Sequence, residues 1–206
     1  MVKEGFPFVF GALLPAIVFF ALFIAIGGFA FLSAGIVFVL LTAFMAYFFR
    51  DPERTPPVGD DIIVSAADGR VTRVEDRGDA KFVSVFLSPF DVHVNRSPIA
   101  GTVSAVDYVK GKKAPATSDE SSLTNERNSL TIENAAMSVV CTQIAGIVAR
   151  RIVCHSKKGD NLSLGEKFGL IKFSSRTDLL MPKNVEILVK VGDRVVGGET
   201  IIAKLR

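Results

Sequence analysis

Val189-Lys190-Val191-Gly192-Asp193-Arg194-Val195-Val196-Gly197-Gly198-Glu199-Thr200-Ile201-Ile202 is the stretch whose reading decides the fold. A strand ends at Val191, Gly192-Asp193 reverses the chain, Val195-Val196 forms a second short strand, Gly197-Gly198 turns again, and Ile201-Ile202 opens a last strand. The same habit runs upstream. Short, β-branched, Gly-punctuated segments predict strands at Ile62 to Ala66, Gly69 to Glu75, Phe82 to Leu87, Gly101 to Val109, Ser129 to Glu133, Met137 to Ile144, Lys167 to Phe173 and Val185 to Val189. Strands at this spacing predict a mainly β sandwich or barrel, and no long 3.6-period stretch competes with them. Lys110 to Arg127, rich in Lys, Ser, Thr, Asp and Glu, reads as a loop over one end of the sandwich. It is either a lid over a site or a plain surface loop.

The amino-terminal quarter is different. From Gly5 to Phe49 there is no Asp, Glu, Lys, Arg or His. A span of hydrocarbon takes about 20 apolar residues, so this stretch of about 45 suits two crossings, with Gly27-Gly28 at the reversal. The reading is a transmembrane helical hairpin, Phe6 to Ile26 and Phe29 to Phe49, and not a signal peptide, whose apolar core is shorter. The expected organisation is a membrane hairpin over 1–50, a linker over 51–61 stiffened by Pro52, Pro56 and Pro57, and a β-rich domain over 62–206. Lys3, Arg50 and Arg54 flank the spans, which points the domain to the cytoplasmic side of the cell (inner) membrane.

A formal net charge of +3 with no basic run interleaved with aromatics argues against nucleic acid. Modest positive charge beside a membrane anchor favours anionic lipid instead. Cys141 and Cys154 have neither metal-pair spacing nor disulfide density, and read as reduced core thiols. No metal site is expected.

Four motifs stand in order along the chain: Phe48-Phe49-Arg50-Asp51-Pro52-Glu53-Arg54, Ala67-Asp68-Gly69-Arg70, Ser88-Pro89-Phe90-Asp91-Val92-His93-Val94-Asn95, and Phe173-Ser174-Ser175-Arg176 after Gly165-Glu166-Lys167-Phe168-Gly169-Leu170-Ile171-Lys172. Together they resemble the short bacterial and archaeal form of phosphatidylserine decarboxylase over nearly the whole chain. The tail is similar to the hammerhead of biotinyl and lipoyl domains. The family resemblance implies an enzyme that makes its own cofactor, a pyruvoyl group, by breaking its backbone at a serine. Loss of an amino acid's carboxylate leaves a carbanion beside nitrogen, which no ordinary side chain delocalises, so an electron sink is required. In the family a Schiff base between the lipid amine and the pyruvoyl ketone supplies it.

The resemblance assigns the nucleophile to Ser175, with the break between Ser174 and Ser175. Ser174 stands where the family has Gly, and a side chain there crowds the attacked carbonyl. His93 is the implied base and Asp68 the carboxylate that orients it. His155, with no motif around it, reads as structural. Arg96, Lys172 and Arg176 are the expected contacts for the substrate's phosphate and carboxylate. Gln143-Ile144-Ala145-Gly146, which recurs in the family, reads as sandwich packing. The implied substrate is phosphatidylserine or a related serine phospholipid, ether lipids included. The large and small chains are expected to stay associated after cleavage, and a homo-oligomer is allowed. A non-catalytic, membrane-tethered hammerhead domain and a processing-dead paralogue are the alternatives.

Overall fold

The helix α1 (Phe6–Ile26) starts with Pro7 in its first turn, where a missing N–H leaves no bond unmade. It ends where Gly27 and Gly28 take φ of 69° and 99°, conformations open to glycine at little cost. The chain then returns as α2 (Phe29–Phe48). The helices pack closely at Gly35, where an added Cβ would lie 3.1 Å from the Phe20 ring, and the Phe19 and Phe38 rings stack at 5.6 Å. Phe10, Leu14, Ile24, Phe29, Val37 and Leu40 face outward. Both helices are long and apolar enough to cross a membrane.

The computed structural model describes residues 1–111, 124–146, 151–173 and 175–206. Most of the loop expected at Lys110 to Arg127, and Ser174 itself, lie outside the described residues. The chain divides into two units, Met1–Pro52 and Glu53–Arg206, so the boundary falls inside the proline segment.

The second unit is mainly β. Its strands are β1 (Ile62–Val64), β2 (Gly69–Asp76), β3 (Ala80–Leu87), β4 (Val94–Arg96), β5 (Gly101–Val109), β6 (Arg127–Glu133), β7 (Ser138–Ala145), β8 (Arg151–Cys154), β9 (Asn161–Leu162), β10 (Lys167–Lys172), β11 (Ser175–Pro182), β12 (Val185–Ile187), β13 (Arg194–Val195) and β14 (Ile201–Leu205). The main sheet is a curled, antiparallel half-barrel with the order β13-β2-β3-β11-β7-β6-β5-β9. Two three-stranded sheets, β1-β14-β12 and β4-β10-β8, complete the unit. The tail folds as its Gly turns require, with β12 and β1 flanking β14 and β13 pairing with β2.

Alternate residues of the strands build the core, including Val83, Val85, Leu130, Ile132, Val139 and Leu179. Full burial of such a side chain stabilises by about 1.5–3 kcal/mol. Cys141 belongs to this core, and burial pushes its thiol up, so it is held as a neutral hydrophobe. Cys154 is also a free thiol.

Candidate active site

Ser175 opens β11, a strand the sequence reading left out. The polar run Ser175-Arg176-Thr177-Asp178 falls outside the expected strands, yet all four residues are buried. β11 lies between β3 and β7, with Ser175 opposite Leu87 on one side and Ala145 on the other. Ser175 is 0% exposed, and its Oγ finds no hydrogen-bond partner among the described residues. A buried hydroxyl without a partner costs about 1–3 kcal/mol. The residue two positions earlier, Phe173, is the one non-glycine with positive φ among the described residues, at 66°. Such a conformation stores about 1–3 kcal/mol in a residue with a side chain. A buried hydroxyl with no partner among the described residues therefore lies two positions after a strained residue.

His93 comes alongside through β4 and β10. Val94 pairs with Leu170 and Asn95 with Gly169, and the Ile171 N–H donates to the His93 carbonyl at 3.2 Å. β10 ends at Lys172, and Asn95 Nδ2 donates to Thr177 Oγ1 at 3.0 Å, so the histidine segment lies against the strand that Ser175 opens. The His93 ring is 2% exposed, with Nδ1 2.9 Å from the Asp91 carbonyl oxygen. A carbonyl only accepts, so this bond places the proton on Nδ1 and leaves Nε2 as the basic nitrogen of the neutral ring. The Asp91 carboxylate fixes the turn that supplies that carbonyl, accepting from Ser88 N at 2.8 Å and Ser88 Oγ at 2.6 Å.

Asp68, expected to orient the imidazole, accepts from the Gly197 N–H at 2.8 Å and from Arg54 Nη2 at 2.8 Å. Arg54 also approaches Glu199 at 3.8 Å. A residue read as a membrane flank is thus held by carboxylates of the β unit.

The three expected substrate contacts are placed differently from one another. Arg96 is buried, with Nη1 donating to the Gly165 carbonyl at 3.0 Å. Lys172 is half-buried at the end of β10, opposite Arg151. Arg176 is 2% exposed and lies on the face of β11 opposite Ser175, with Nε and Nη2 at 2.9 and 3.0 Å from the two Asp178 oxygens. Ser84 Oγ donates to Asp178 at 2.6 Å. Burial pushes the Asp178 carboxyl up, and the Arg176 guanidinium and the Ser84 hydroxyl oppose this.

A buried amide chain went unread in the sequence. Asn128 Nδ2 donates to Gln143 Oε1 at 3.0 Å, Gln143 Nε2 to Asn95 Oδ1 at 2.9 Å, and Asn95 Nδ2 to Thr177 Oγ1 at 3.0 Å. Thr177 shares its strand face with Ser175, so the chain ties the serine strand to the histidine segment. Gly169 makes room for it, because a Cβ there would lie 2.2 Å from the Val153 carbonyl oxygen and 3.2 Å from Gln143 Nε2. The available signal was Gln143 and Asn128 standing at inward positions of otherwise apolar strands. Gln143→Leu leaves two buried amide groups without that partner, at about 1–3 kcal/mol each. The expected result is a fall of about 5–15 °C in the unfolding midpoint of the β unit, followed by circular dichroism. An unchanged midpoint would show that the chain of amides contributes nothing to the fold.

The arrangement has the parts of an acyl-transfer site. It holds a buried hydroxyl with no hydrogen-bond partner among the described residues, a positive-φ residue two positions before it, and a histidine of fixed tautomer just ahead of β4.

A family model described as phosphatidylserine decarboxylase matches residues 41–203. The chain is 43% identical over 209 aligned positions to the phosphatidylserine decarboxylase proenzyme of Geobacter metallireducens, covering 98% of this chain and 95% of that one. It is 47% identical over 184 positions to the proenzyme of that name from Ruegeria pomeroyi, covering 84% of each. Against the one from Ehrlichia chaffeensis the identity is 39% over 213 positions, covering 99% of this chain and 91% of that one. With a family model and relatives covered over most of their length matching across the segments that carry Ser175 and His93, the chain belongs to the phosphatidylserine decarboxylase family and is a decarboxylase.

Proposed function

We propose that this chain cleaves itself between residues 174 and 175 and then converts phosphatidylserine to phosphatidylethanolamine and CO2. The observation that carries the reading is Ser175 Oγ, fully buried and with no hydrogen-bond partner among the described residues. Such a hydroxyl is an expensive feature for a structural residue and a natural one for a nucleophile. In the proposed processing step Ser175 Oγ attacks the carbonyl carbon of residue 174, the amide C–N bond breaks, and an ester forms. Loss of the Cα proton then expels the carboxylate of residue 174. Water takes the nitrogen off residue 175 as ammonia and leaves a ketone there. His93 Nε2 takes the Ser175 proton, since Nδ1 is engaged by the Asp91 carbonyl.

Asp68 supports that step with its negative charge. The Arg54 pair and the Gly197 N–H hold its carboxylate in place. The pyruvoyl group fits residue 175 because the site is closed to solvent there, and it supplies the electron sink for the carbanion left by loss of CO2. Arg96 and Lys172 are assigned to the head-group phosphate and carboxylate. Arg176, paired with Asp178, is the expected contact that must exchange a protein partner for a substrate one. The carboxy-terminal fragment would retain β11 between β3 and β7, which supports continued association of the two chains after the break. The two apolar helices support anchoring in the inner membrane with the β unit on the cytoplasmic side.

The test is turnover by the purified full chain on vesicles containing phosphatidylserine, with release of CO2 and phosphatidylethanolamine measured. Pretreatment with a carbonyl reagent such as phenylhydrazine is expected to abolish it. Turnover insensitive to that reagent would contradict the ketone.

A further inference from the structure

The register of the main sheet puts one row of residues across its width: Arg194 opposite Arg70, Arg70 opposite Phe86, Phe86 opposite Arg176, Arg176 opposite Ile144, Ile144 opposite Arg127, and Arg127 opposite Val109. Ser175, Leu87 and Ala145 lie one residue beyond this row, at the same end of the sheet. At that end the chain leaves β3 in the turn Ser88 to Asp91, which presents Phe90 66% exposed. The turn is built to hold its shape. The Asp91 N–H donates to the Ser88 carbonyl at 2.9 Å, the Asp91 carboxylate accepts from Ser88, and Arg194 approaches it at 3.5 Å. On the far flank of the same end β5 finishes with Tyr108, 56% exposed, and Val109, followed by exposed Lys110. Arg70 and Arg194 are also exposed. Single exposed hydrophobes are ordinary, but one aromatic on a fixed turn and a second at the end of β5, with cations at the same end as the candidate nucleophile, are the composition of an interfacial contact.

We infer that this end of the β unit is a docking face for the surface of an anionic phospholipid bilayer, with Phe90 inserted at the level of the head groups and Arg70 and Arg194 against lipid phosphates. The inference rests on reading the substrate as a membrane lipid, and it adds where the soluble unit itself meets the membrane, apart from the helical hairpin. Charge complementarity favours a bilayer carrying net negative charge, because each exposed Arg or Lys near such a surface contributes about 1 kcal/mol. It also gives the turn a purpose. The segment that enters lipid ends two residues before His93, so docking brings the end of the sheet that holds Ser175 and His93 to the plane where the serine head group lies.

The chain contains no tryptophan, so a single one reports its own surroundings. The full chain carrying Phe90→Trp is reconstituted into vesicles of phosphatidylcholine with phosphatidylglycerol, and a second preparation carries Ala135→Trp. Ala135 is exposed in the turn between β6 and β7, at the opposite end of the sheet. Emission from position 90 is expected to shift to the blue and to be quenched by lipids brominated near the top of the acyl chain, while emission from position 135 stays solvent-like. Arg70→Gln with Arg194→Gln is expected to lower the docked-to-undocked ratio roughly five-fold per charge, the equivalent of about 1 kcal/mol each. Solvent-like emission at position 90, or equal quenching in purely zwitterionic vesicles, would overturn the inference. The readout requires no turnover, so Ser175→Ala should dock as wild type does. A chain that docks without releasing CO2 would sink the proposed reaction alone, and one that turns over with a solvent-exposed position 90 would sink docking alone.

Discussion

Ser175→Ala leaves the chain as one uncut polypeptide and removes decarboxylation entirely, a loss on the order of 10^6-fold or more, because no hydroxyl remains to open the backbone and no ketone forms. The same change is expected to leave the fold intact. Ser175 Oγ makes no hydrogen bond among the described residues, so its removal breaks none of those described and relieves an unsatisfied buried polar group. Thermal unfolding at or slightly above the wild-type midpoint, together with an uncut chain on a gel, is the combined outcome. A cleaved Ser175→Ala chain would move the nucleophile elsewhere, with Ser174 the first candidate.

His93→Ala is the second large effect. General-base assistance contributes about 10^2–10^4-fold, and that is the expected slowing of self-cleavage, read as the lifetime of the precursor after synthesis. Asp68→Asn should slow cleavage less, about ten-fold, since His93 Nδ1 donates to the Asp91 carbonyl and the proposed role of the carboxylate is to act by charge. His155→Ala should leave the lifetime unchanged. If His155→Ala blocked processing and His93→Ala did not, the base assignment would be reversed.

The helical hairpin was legible because long apolar segments are recognised by composition and length alone, and α1 and α2 end within one residue of the expected bounds. The Gly-Asp and Gly-Gly turns of the tail were legible for a similar reason, since each turn is decided by the residues within it. β11 was not. Its first four residues are Ser175, Arg176, Thr177 and Asp178, and a local reading of so polar a run yields a turn. What lets it enter a sheet comes from far away in sequence: Asn95 bonds Thr177, Ser84 bonds Asp178, and Arg176 and Asp178 neutralise one another. Tertiary partners supply what local preference denies.

The candidate site followed the same division. Ser175, His93 and Asp68 were named from motifs, whereas the amide chain through Gln143 and the role of the Asp91 carbonyl required the register of β4, β7, β10 and β11. Positive φ at Phe173 is likewise invisible in a sequence, because nothing in phenylalanine announces it. Phe173 stands just after β10, a strand of one sheet, and two residues before β11, a strand of another, so its conformation answers to long-range pairing rather than to its own side chain.

The most direct test of the central claim is the intact mass of the purified, active protein. The account predicts two chains, residues 1–174 and residues 175–206, the smaller beginning with a ketone in place of an amino group. Active protein consisting of one uncut chain of 206 residues would contradict it.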